Sequence, residues 1–394
     1  MRQLIIGISF LVLLAGCSTQ LTPDVPEHLA DLQDLEVYSA DVEPAYQLHL
    51  VQEMVFGDSE EFMIGSIGQV EVDQSGRVYL GDTQQKSIHI FRPDGNYLTS
   101  IGREGEGPGE FQWIGHIQIH SGDLFVYDPN SRRINVFDIQ ESLQATPRFK
   151  HSIPVFGENF KGLPEENFMP PGLNNIRNDG SLILSSQHSI FLYREDPEFQ
   201  GKTRYYLVNQ EGDTSADMIF EMNMPKHIVT EWFTIPPPFS ARGLVAHATD
   251  GRIYSTWSDD ILIKVHNSDG AYERSFYHPF DNHALNREDA INSMDDHEQL
   301  HEAVESIQLP ETWPALNRMF VDNLDRIWVA TIMNDPELYE WWVMDDTGEL
   351  LVCFEWPRHQ SIIRVKDNVL YVRETEEESG LQQIVRYRME YTES

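Results

Sequence analysis

The chain has 394 residues, and its 64 Asp and Glu against 28 Lys and Arg give a formal net charge of −36. Hydrophobic residues make up 40% and aromatic residues 11%, enough for a large core, so the composition excludes a disordered acidic chain. So much carboxylate repels phosphate backbones, and we expect no nucleic-acid partner. Only 7 of the basic residues are Lys, and a surface of this kind suits a medium of high salt.

Residues 1–16 predict a signal peptide. Arg2 carries the single charge, and Leu4 to Leu13 is an uncharged apolar run too short to span a bilayer as a helix. The sequence Leu14-Ala15-Gly16-Cys17 resembles the lipobox of bacterial lipoproteins. This resemblance implies that Cys17 is acylated and becomes the new N-terminus.

Processing at Cys17 would leave 27 basic and 64 acidic residues, a net charge of −37. Ser18 after the cysteine implies the outer membrane, so we expect a lipid-anchored protein outside the cytoplasm. Residues 17–45 are polar and contain three prolines, which predicts a tether. Cys353 would be the one unmodified thiol, and its apolar, strand-like surroundings predict a buried, inert cysteine.

The segment 46–394 is dominated by a repeated pattern. Residues 67–102 contain four short alternating runs separated by turn signals at 73–76, 82–86 and 93–96. Four antiparallel strands in about 35 residues make one propeller blade. The pattern recurs with turns at Gly122, Gly180, Gly251, Asp325 and Asn368. Six copies predict an all-β, six-bladed β-propeller with four-stranded antiparallel blades, because a sandwich would not repeat the same order of turns six times.

The first two copies carry a family resemblance. Arg77-Val78-Tyr79-Leu80-Gly81-Asp82, Ile88-His89-Ile90-Phe91 and Gly107-Pro108-Gly109-Glu110-Phe111 resemble NHL-repeat propellers. They are most similar to six-bladed propeller lipoproteins of environmental bacteria, in which the Gly-Pro-Gly-Glu-Phe signature joins two blades. The resemblance is specific over residues 66–138 and architectural from 170 to 394. It implies the fold but no activity, because most such lipoproteins have none assigned.

The last blade supplies only three strands from the C-terminal part of the chain. A β-prone run from Gln47 to Val55 precedes the first blade and can supply the fourth. This arrangement closes the ring and removes an exposed sheet edge. We therefore predict that the N-terminal strand pairs into the last blade.

Long segments between blades predict the functional face. The insertions 156–172, 221–241 and 280–313 are expected on one face, and insertions on one face usually mark a binding surface. The third predicts a helical insertion at 281–312, with one helix from Arg287 to Ile307. The second contains Trp232 in a run of aromatic and proline residues, and the first contains Phe168 and Met169. These residues could form a pocket wall on rigid loops, or pack on one another as a lid.

Polar residues near the starts of inner strands would line the mouth of the central channel. The predicted ligand-binding residues there are His116, Asn174, Asn175, Arg242, Asn317 and Arg318, together with Trp232 on its loop. Two arginines among amides in so acidic a chain would suit a carboxylate, phosphate or sulfate. Each arginine is equally compatible with a structural role.

Two groups of residues are compatible with a metal site. His297-Glu298-Gln299-Leu300-His301 matches H-E-x-x-H, in which two histidines one helical turn apart share a zinc ion, and it is equally compatible with histidines packed against the propeller. The asparagines Asn174, Asn175 and Asn317 faintly resemble the ligand set of calcium-dependent propeller lactonases. No matching Asp or Glu is evident at the other channel positions.

The sequence thus predicts a monomeric, non-enzymatic lipoprotein that binds a small molecule or a protein at its loop face. We expect no catalytic residue and no cofactor. The alternative is a metal-dependent hydrolase or lactonase that uses calcium in the channel or zinc at His297 and His301.

Overall fold

The computed structural model describes residues 25–59, 62–139, 146–155, 166–210, 214–294, 297–376 and 380–394. The predicted signal peptide and Cys17 lie outside these ranges, as does most of the first insertion. Within the described ranges, no helix has the length and apolar character needed to cross a membrane.

The described residues form six blades, each a four-stranded antiparallel sheet, and the sheet of blade 4 has a fifth, parallel strand at its outer edge. A 3₁₀ turn (Glu27–Leu29) and the strands β1 (Leu35–Val37), β2 (Tyr46–Phe56), β3 (Asp58–Ser59) and β4 (Phe62–Met63) precede the first blade. Blade 1 contains β5 (Ile67–Val72), β6 (Val78–Asp82), β7 (Ser87–Phe91) and β8 (Tyr97–Ile101). Blade 2 contains β9 (Ile117–His120), β10 (Asp123–Asp128), β11 (Arg133–Asp138) and β12 (Arg148–Pro154).

Blade 3 contains β13 (Gly172–Ile176), β14 (Leu182–Gln187), helix α1 (Phe191–Glu195), β15 (Lys202–Val208) and β16 (Thr214–Asn223). The hairpin β17 (Ile228–Val229) and β18 (Thr234–Ile235) follows it. Blade 4 contains β19 (Gly243–His247), β20 (Ile253–Trp257), β21 (Ile261–His266) and β22 (Tyr272–His278).

Helices α2 (Arg287–Asn292) and α3 (Glu298–Ser306) separate blades 4 and 5. Blade 5 contains β23 (Leu316–Val321), β24 (Ile327–Ile332), β25 (Leu338–Met344) and β26 (Leu350–Pro357). Blade 6 contains β27 (Ser361–Lys366), β28 (Val369–Thr375), β29 (Gln382–Glu393) and the N-terminal β2. The prediction of a six-bladed propeller is confirmed.

Apolar residues that alternate along the strands are buried between the blades. Tyr79, Ile88 and Ile90 of blade 1 pack with Leu124 and Val126 of blade 2. Corresponding clusters lie between blades 2 and 3, 4 and 5, 5 and 6, and 6 and 1. The hydrophobic free energy that stabilises the ring thus comes from contacts between neighbouring sheets.

The predicted turn positions join the first two strands of each blade. All six residues there have positive φ: Gly76, Gly122, Gly180, Gly251, Asp325 and Asn368. Left-handed backbone favours Gly, Asn and Asp, which explains why these residue types mark the repeat. In blade 1 the turn is reinforced by Asp73, which accepts hydrogen bonds from Arg77 Nε (2.6 Å) and Tyr79 Oη (3.0 Å).

Strand β2 closes the ring as predicted. It pairs antiparallel with β29 from Tyr46 opposite Glu393 to Phe56 opposite Ile384, with one irregularity between Gln52 and Met54. The sheet order is β2-β29-β28-β27, so β2 is the outermost strand of blade 6. Strands β2 and β29, 335 residues apart at the ion pair between Glu53 and Arg388, therefore lie in one blade.

The expectation of a tether over residues 17–45 needs correction for residues 25–45, which pack on the ring. Leu29 is buried, and β1 pairs in parallel with β22 at the outer edge of blade 4. Tyr38 stacks on His278 with ring centroids 4.4 Å apart. The sequence analysis missed this segment because its strand is only three residues long.

The insertion between blades 4 and 5 also differs from its prediction. The single helix expected from Arg287 to Ile307 is broken into α2 and α3. Asn292 and Ser293 explain the end of α2, because such side chains compete for backbone hydrogen bonds, and Ser293 Oγ donates to the Ala290 carbonyl at 2.8 Å.

Candidate ligand-binding face and central channel

The meander order of the strands divides the loops between two faces. Turns between first and second strands and between third and fourth strands lie on one face. Turns between second and third strands and the connections between blades lie on the other, which we call the connection face. The described parts of the three predicted insertions follow the fourth strands of blades 2, 3 and 4, and so belong to the connection face.

Exposed large apolar side chains occur on the connection face along neighbouring blades. Trp113 lies between blades 1 and 2, Met169 between blades 2 and 3, Phe191 in the β14–β15 connection, and Trp232 between blades 3 and 4. Trp232 is 64% exposed and Phe191 is 61% exposed. On the opposite face, Leu324 is exposed in a turn, and the exposed Tyr46 and Tyr272 begin the strands β2 and β22. The grouping on the connection face is typical of an interaction surface.

Basic side chains pack over two of these exposed aromatic residues. Lys86 Nζ lies 4.2 Å from the ring centroid of Trp113. Arg194 on α1 lies over Phe191 and donates from Nε to Thr234 Oγ1 at 3.0 Å, which joins blade 3 to the β17–β18 hairpin. The apolar groups are therefore carried by braced loops, which reduces the entropy lost when a partner binds.

The second and third insertions pack on each other. Phe239 and Ile228 share a hydrophobic cluster with Ala290, Leu300 and Val304 of the helices. Phe233 and Trp313 lie at the border of this cluster. Phe233 and Phe239 therefore pack against the other insertion, as expected for a lid, whereas Trp232 remains exposed.

The H-E-x-x-H histidines differ in backbone conformation. His297 precedes α3 as its N-cap residue with extended backbone (φ −137°, ψ 116°), and its ring packs edge-on against Phe233 at 4.5 Å. His301 lies inside α3. The one-turn spacing required for zinc sharing needs both residues in helical conformation. In the described ranges, no three His, Cys, Asp or Glu side chains group together in a way that suits a metal ion.

The two predicted arginines bridge neighbouring inner strands. Arg242 Nη2 donates to the Asn317 carbonyl at 2.8 Å, and Arg318 Nη1 donates to the Ile362 carbonyl at 2.6 Å. Arg373 repeats the contact at the ring closure, where its Nη1 donates to the Ile67 carbonyl at 2.8 Å. These contacts supply a structural role, and anion binding by Arg242 and Arg318 stays a prediction. Burial lowers the pKa of Arg318, and the nearby Arg373 cation lowers it further.

The predicted polar residues of blades 2 and 3 lie at the inner strands. Asn174 and Asn175 belong to β13, and His116 directly precedes β9. Asn174 Oδ1 lies 2.5 Å from Nε2 of His247, which is the last residue of β19. The structure therefore adds His247 to the channel residues, and a polar residue in the alternation of β19 was the signal that could have found it.

Sequence reasoning also missed the charged residues of blades 1 and 6. Glu71 on β5 is buried and pairs with Arg364 Nη2 on β27 at 3.2 Å. Lys366 Nζ donates to the Val72 carbonyl at 2.6 Å. The alternation of these strands makes Glu71, Arg364 and Lys366 resemble ordinary solvent-facing residues, so their inward position is not evident from sequence.

The channel holds its histidines neutral. Burial lowers the pKa of both His116 and His247 to about 4. The Arg364 cation lowers the pKa of His116 further, and His116 and Arg177 do so for His247. Burial raises the pKa of Glu71, against the opposing effects of Arg364 and Lys366. The site is thus a desolvated polar group with neutral imidazoles and two nearby cations.

Cys353 lies on β26 and is partly buried. Burial, and then the nearby Glu340 carboxylate, raises the pKa of its thiol. The thiol therefore stays protonated at neutral pH and is a poor nucleophile, in line with the sequence expectation.

Comparison with known proteins supports the architecture. Residues 57–218, less than half of the chain, match a family model described as a 6-bladed beta-propeller. The chain is a six-bladed propeller. A member of the duf4221 family from Bacteroides vulgatus superposes with a TM-score of 0.52 at 13% identity, covering 89% of this chain and 100% of its own.

Two further solved structures have lower TM-scores. A protein from Bacteroides fragilis described as exported has a TM-score of 0.49 at 11% identity, covering 90% of this chain and 99% of that one. The calcium-binding protein regucalcin from Agrobacterium tumefaciens has a TM-score of 0.39 at 9% identity, covering 91% of this chain and 97% of that one. No curated protein matches the sequence. These likenesses concern fold alone.

Proposed function

We propose that the protein is a non-enzymatic lipoprotein outside the cytoplasm whose connection face binds a ligand or protein partner. The observation that carries this proposal is the grouping of Trp113, Met169, Phe191 and Trp232 on that face. Removing aromatic surface from water on binding releases about 25 cal/mol per Å². Trp is also the residue type most enriched among side chains that dominate binding energy.

The partner is tested by photo-crosslinking in intact cells. The photoreactive residue p-benzoylphenylalanine is introduced at position 232 or 191 of the full chain, and at 324 as the control. Leu324 is 49% exposed and apolar but lies on the opposite face. We expect a light-dependent adduct of defined mass at 232 or 191 and none at 324. Equal adducts at all three positions, or none at any, would contradict the proposal.

The lipid anchor is tested by the intact mass of the purified protein. We expect a mass that lacks residues 1–16 and carries acyl chains at Cys17, while Cys17→Ala should retain the full N-terminal sequence. An unmodified, full-length mass for the parent chain would contradict the anchor. Two acyl chains hold a protein stably at a membrane, and we propose the outer membrane as the site.

The hydrolase alternative is tested by metal analysis of the purified full chain. We expect neither zinc nor calcium in stoichiometric amount after gel filtration without chelator. One zinc per chain that is lost in His301→Ala, but kept in His49→Ala on the outermost strand β2, would instead support the hydrolase.

A further inference from the structure

The N-terminal segment joins the ring at the connection face. Its first turn, Glu27–Leu29, places His28 beside blade 4, where His28 Nε2 lies 3.2 Å from Oδ2 of Asp260. Asp260 belongs to the turn between β20 and β21, the second and third strands of the blade, and this turn lies on the connection face. Leu29 is buried, so the N-terminal turn is packed on the ring. The described chain therefore starts at the rim of the connection face.

The proposed lipid anchor is a short distance from this rim. Val25, the first described residue, is eight residues after Cys17. An extended chain spans at most about 3.6 Å per residue, so Cys17 is within about 29 Å of Val25. A strand of six residues already spans about 20 Å from one face of a blade to the other. An anchor of this reach favours a bilayer at the connection face, because most of the reach would be used up in passing a blade toward the opposite face.

Three of the exposed apolar side chains lie together at the connection end of blade 3. Met169 N donates to the carbonyl of Gln187, the last residue of β14, at 2.7 Å. Phe191 begins helix α1, four residues after Gln187. Arg194 of the same helix lies over the Phe191 ring, and its Nη2 is 3.5 Å from the Trp232 carbonyl oxygen. We call Met169, Phe191 and Trp232 the apolar ridge.

The residue types of the ridge and its surroundings suit the interfacial layer of a bilayer. Trp is enriched at membrane–water interfaces because its ring is apolar and its N–H is polar. The exposed Arg194 and Lys226 nearby can bond lipid phosphate while their stems cover apolar surface. The exposed Glu195 and Glu231 offset this positive charge. The ridge therefore matches a zwitterionic headgroup layer better than an anionic one.

Exposure alone does not choose between the two faces, because Tyr46, Tyr272 and Leu324 are exposed on the opposite face. The position of the N-terminal turn beside Asp260 makes the choice. With the lipid chains of Cys17 in the bilayer, docking of the ridge becomes an intramolecular step at high effective concentration. A contact that is weak for a free protein is then sufficient to orient the ring.

We propose that the apolar ridge docks on the bilayer in which Cys17 is anchored, so that the connection face lies against the membrane. This inference rests on the proposed function, because it needs the lipid anchor, and it names a zwitterionic lipid surface as the ligand of the connection face. The opposite face then points away from the membrane.

Fluorescence quenching in vesicles tests the proposal with the full lipidated chain. The protein is incorporated into phosphatidylcholine vesicles and isolated by flotation, with the fluorophore NBD attached to Met169→Cys or, as the control, to Leu324→Cys. The raised pKa of the Cys353 thiol disfavours labelling there, and the parent chain measures the background. We expect spin-labelled lipid to remove most of the NBD emission at 169 and little of it at 324.

Variants connect the quenching to the ridge. With NBD at 169, the double variant Phe191→Ser and Trp232→Ser should lose most of the quenching while it still floats with the vesicles. Leu324→Ser, an exposed apolar residue of the opposite face, is the matched control and should keep the quenching. Equal quenching at 169 and 324, or quenching at 169 that the double variant leaves unchanged, overturns the proposal.

Flotation and crosslinking distinguish this failure from failure of the proposed function. A chain that floats without a difference between 169 and 324 keeps its anchor, and only the docking is overturned. A protein adduct at position 232 in intact cells, with NBD at 169 unquenched, overturns the docking but keeps the connection face as a binding surface for protein. A chain that does not float has no anchor and overturns both proposals.

Discussion

Asp82 fixes a blade joint through several backbone groups at once. Its carboxylate accepts hydrogen bonds from the N–H groups of Gly65 (2.6 Å), Gln84 (2.8 Å) and Gln85 (2.9 Å). Asp128 occupies the same place in blade 2, where it accepts from Gln112 N at 2.7 Å. One carboxylate at the end of a blade's second strand thus anchors both the incoming connection and the following turn.

We expect Asp82→Asn to lower the free energy of unfolding by about 2–4 kcal/mol, because the amide presents a donor to backbone donors. The hydrogen bonds hold the pKa of Asp82 at about 2, so its contribution is full above the unfolded value near 4 and is lost as the pH falls toward 2. Urea unfolding measures the change. Asp94→Asn, in an exposed turn, is the control and should cost little. Equal losses in the two variants would contradict this role.

The buried histidines predict a second pH dependence with a different range. The pKa values of His116 and His247 lie near 4 in the folded protein and near 6.5 in the unfolded chain. The unfolded chain therefore binds protons first, and stability falls between about pH 6.5 and 4. Arg364 opposes the protonation of His116, and Arg177 and His116 oppose that of His247, whereas the raised pKa of Glu71 acts in the opposite direction.

Unfolding of His247→Gln across this range checks the prediction. The variant should lose less stability than the parent between pH 7 and pH 5, whatever its stability at pH 7. His28→Gln provides the matched control, because His28 is exposed near Asp260. A slope equal to that of the parent in His247→Gln would show that this histidine does not titrate as expected.

Among the elements, β2 contributes most to the stability of the closed ring. It covers the edge of β29 over its whole length and contributes the fully buried Phe56. Leu48 and Leu50 pack against the cluster between blades 5 and 6. Removal of β2 would expose an unpaired strand edge and these apolar side chains at the same time.

Deletion of residues 46–56 should therefore destabilise the whole ring. We expect the melting temperature to fall by more than about 10 °C, or the protein to be insoluble. Deletion of residues 30–43, which removes β1 but retains β2, should have a smaller effect. Circular dichroism melts compare the two, and a 46–56 deletion that melts like the parent would refute the closure.

At the scale of the whole molecule, the charge is the dominant property. With a net charge of −36, the acidic side chains repel one another most strongly when the chain is compact. Salt at 0.1 M largely screens the repulsion between exposed charges that are more than about 10 Å apart. We expect the melting temperature to rise between 0.05 and 1 M NaCl. A melting temperature that falls over this range would contradict adaptation of the surface to salt.

The fold could be predicted from sequence because its signals are local. Turn residues such as Gly76 and Asn368 mark the strands, and alternation along each strand identifies the buried face. The β2 pairing followed from a count of strands. The tether was wrong for residues 25–45 because the short strand β1 depends on its distant partner β22. The single helix was wrong because local polar side chains end α2 at Asn292.

The channel could not be predicted to the same extent. Arg242 and Arg318 lie near the starts of β19 and β23, as the sequence indicates, but their contacts with neighbouring blades depend on the curvature of the ring. Glu71 and Arg364 are far apart in sequence and meet only when the last blade lies beside the first. Sequence alternation shows which residues are polar, but not which of them face the axis.

The pairing of β2 with β29 has a consequence for the order of folding. Glu53 and Arg388, which form an ion pair across this ladder, are 335 residues apart in sequence. Strand β2 therefore emerges before all of blade 1 during synthesis and remains without its partner until nearly the whole chain has appeared. Hairpins within a blade form between residues that are close in sequence. Pairing β2 with β29 instead closes a loop of more than about 300 residues, which has the largest entropy cost of any ladder in the ring. Blades can assemble one after another from the N-terminal side, but the ring becomes cooperative only when the last strand arrives.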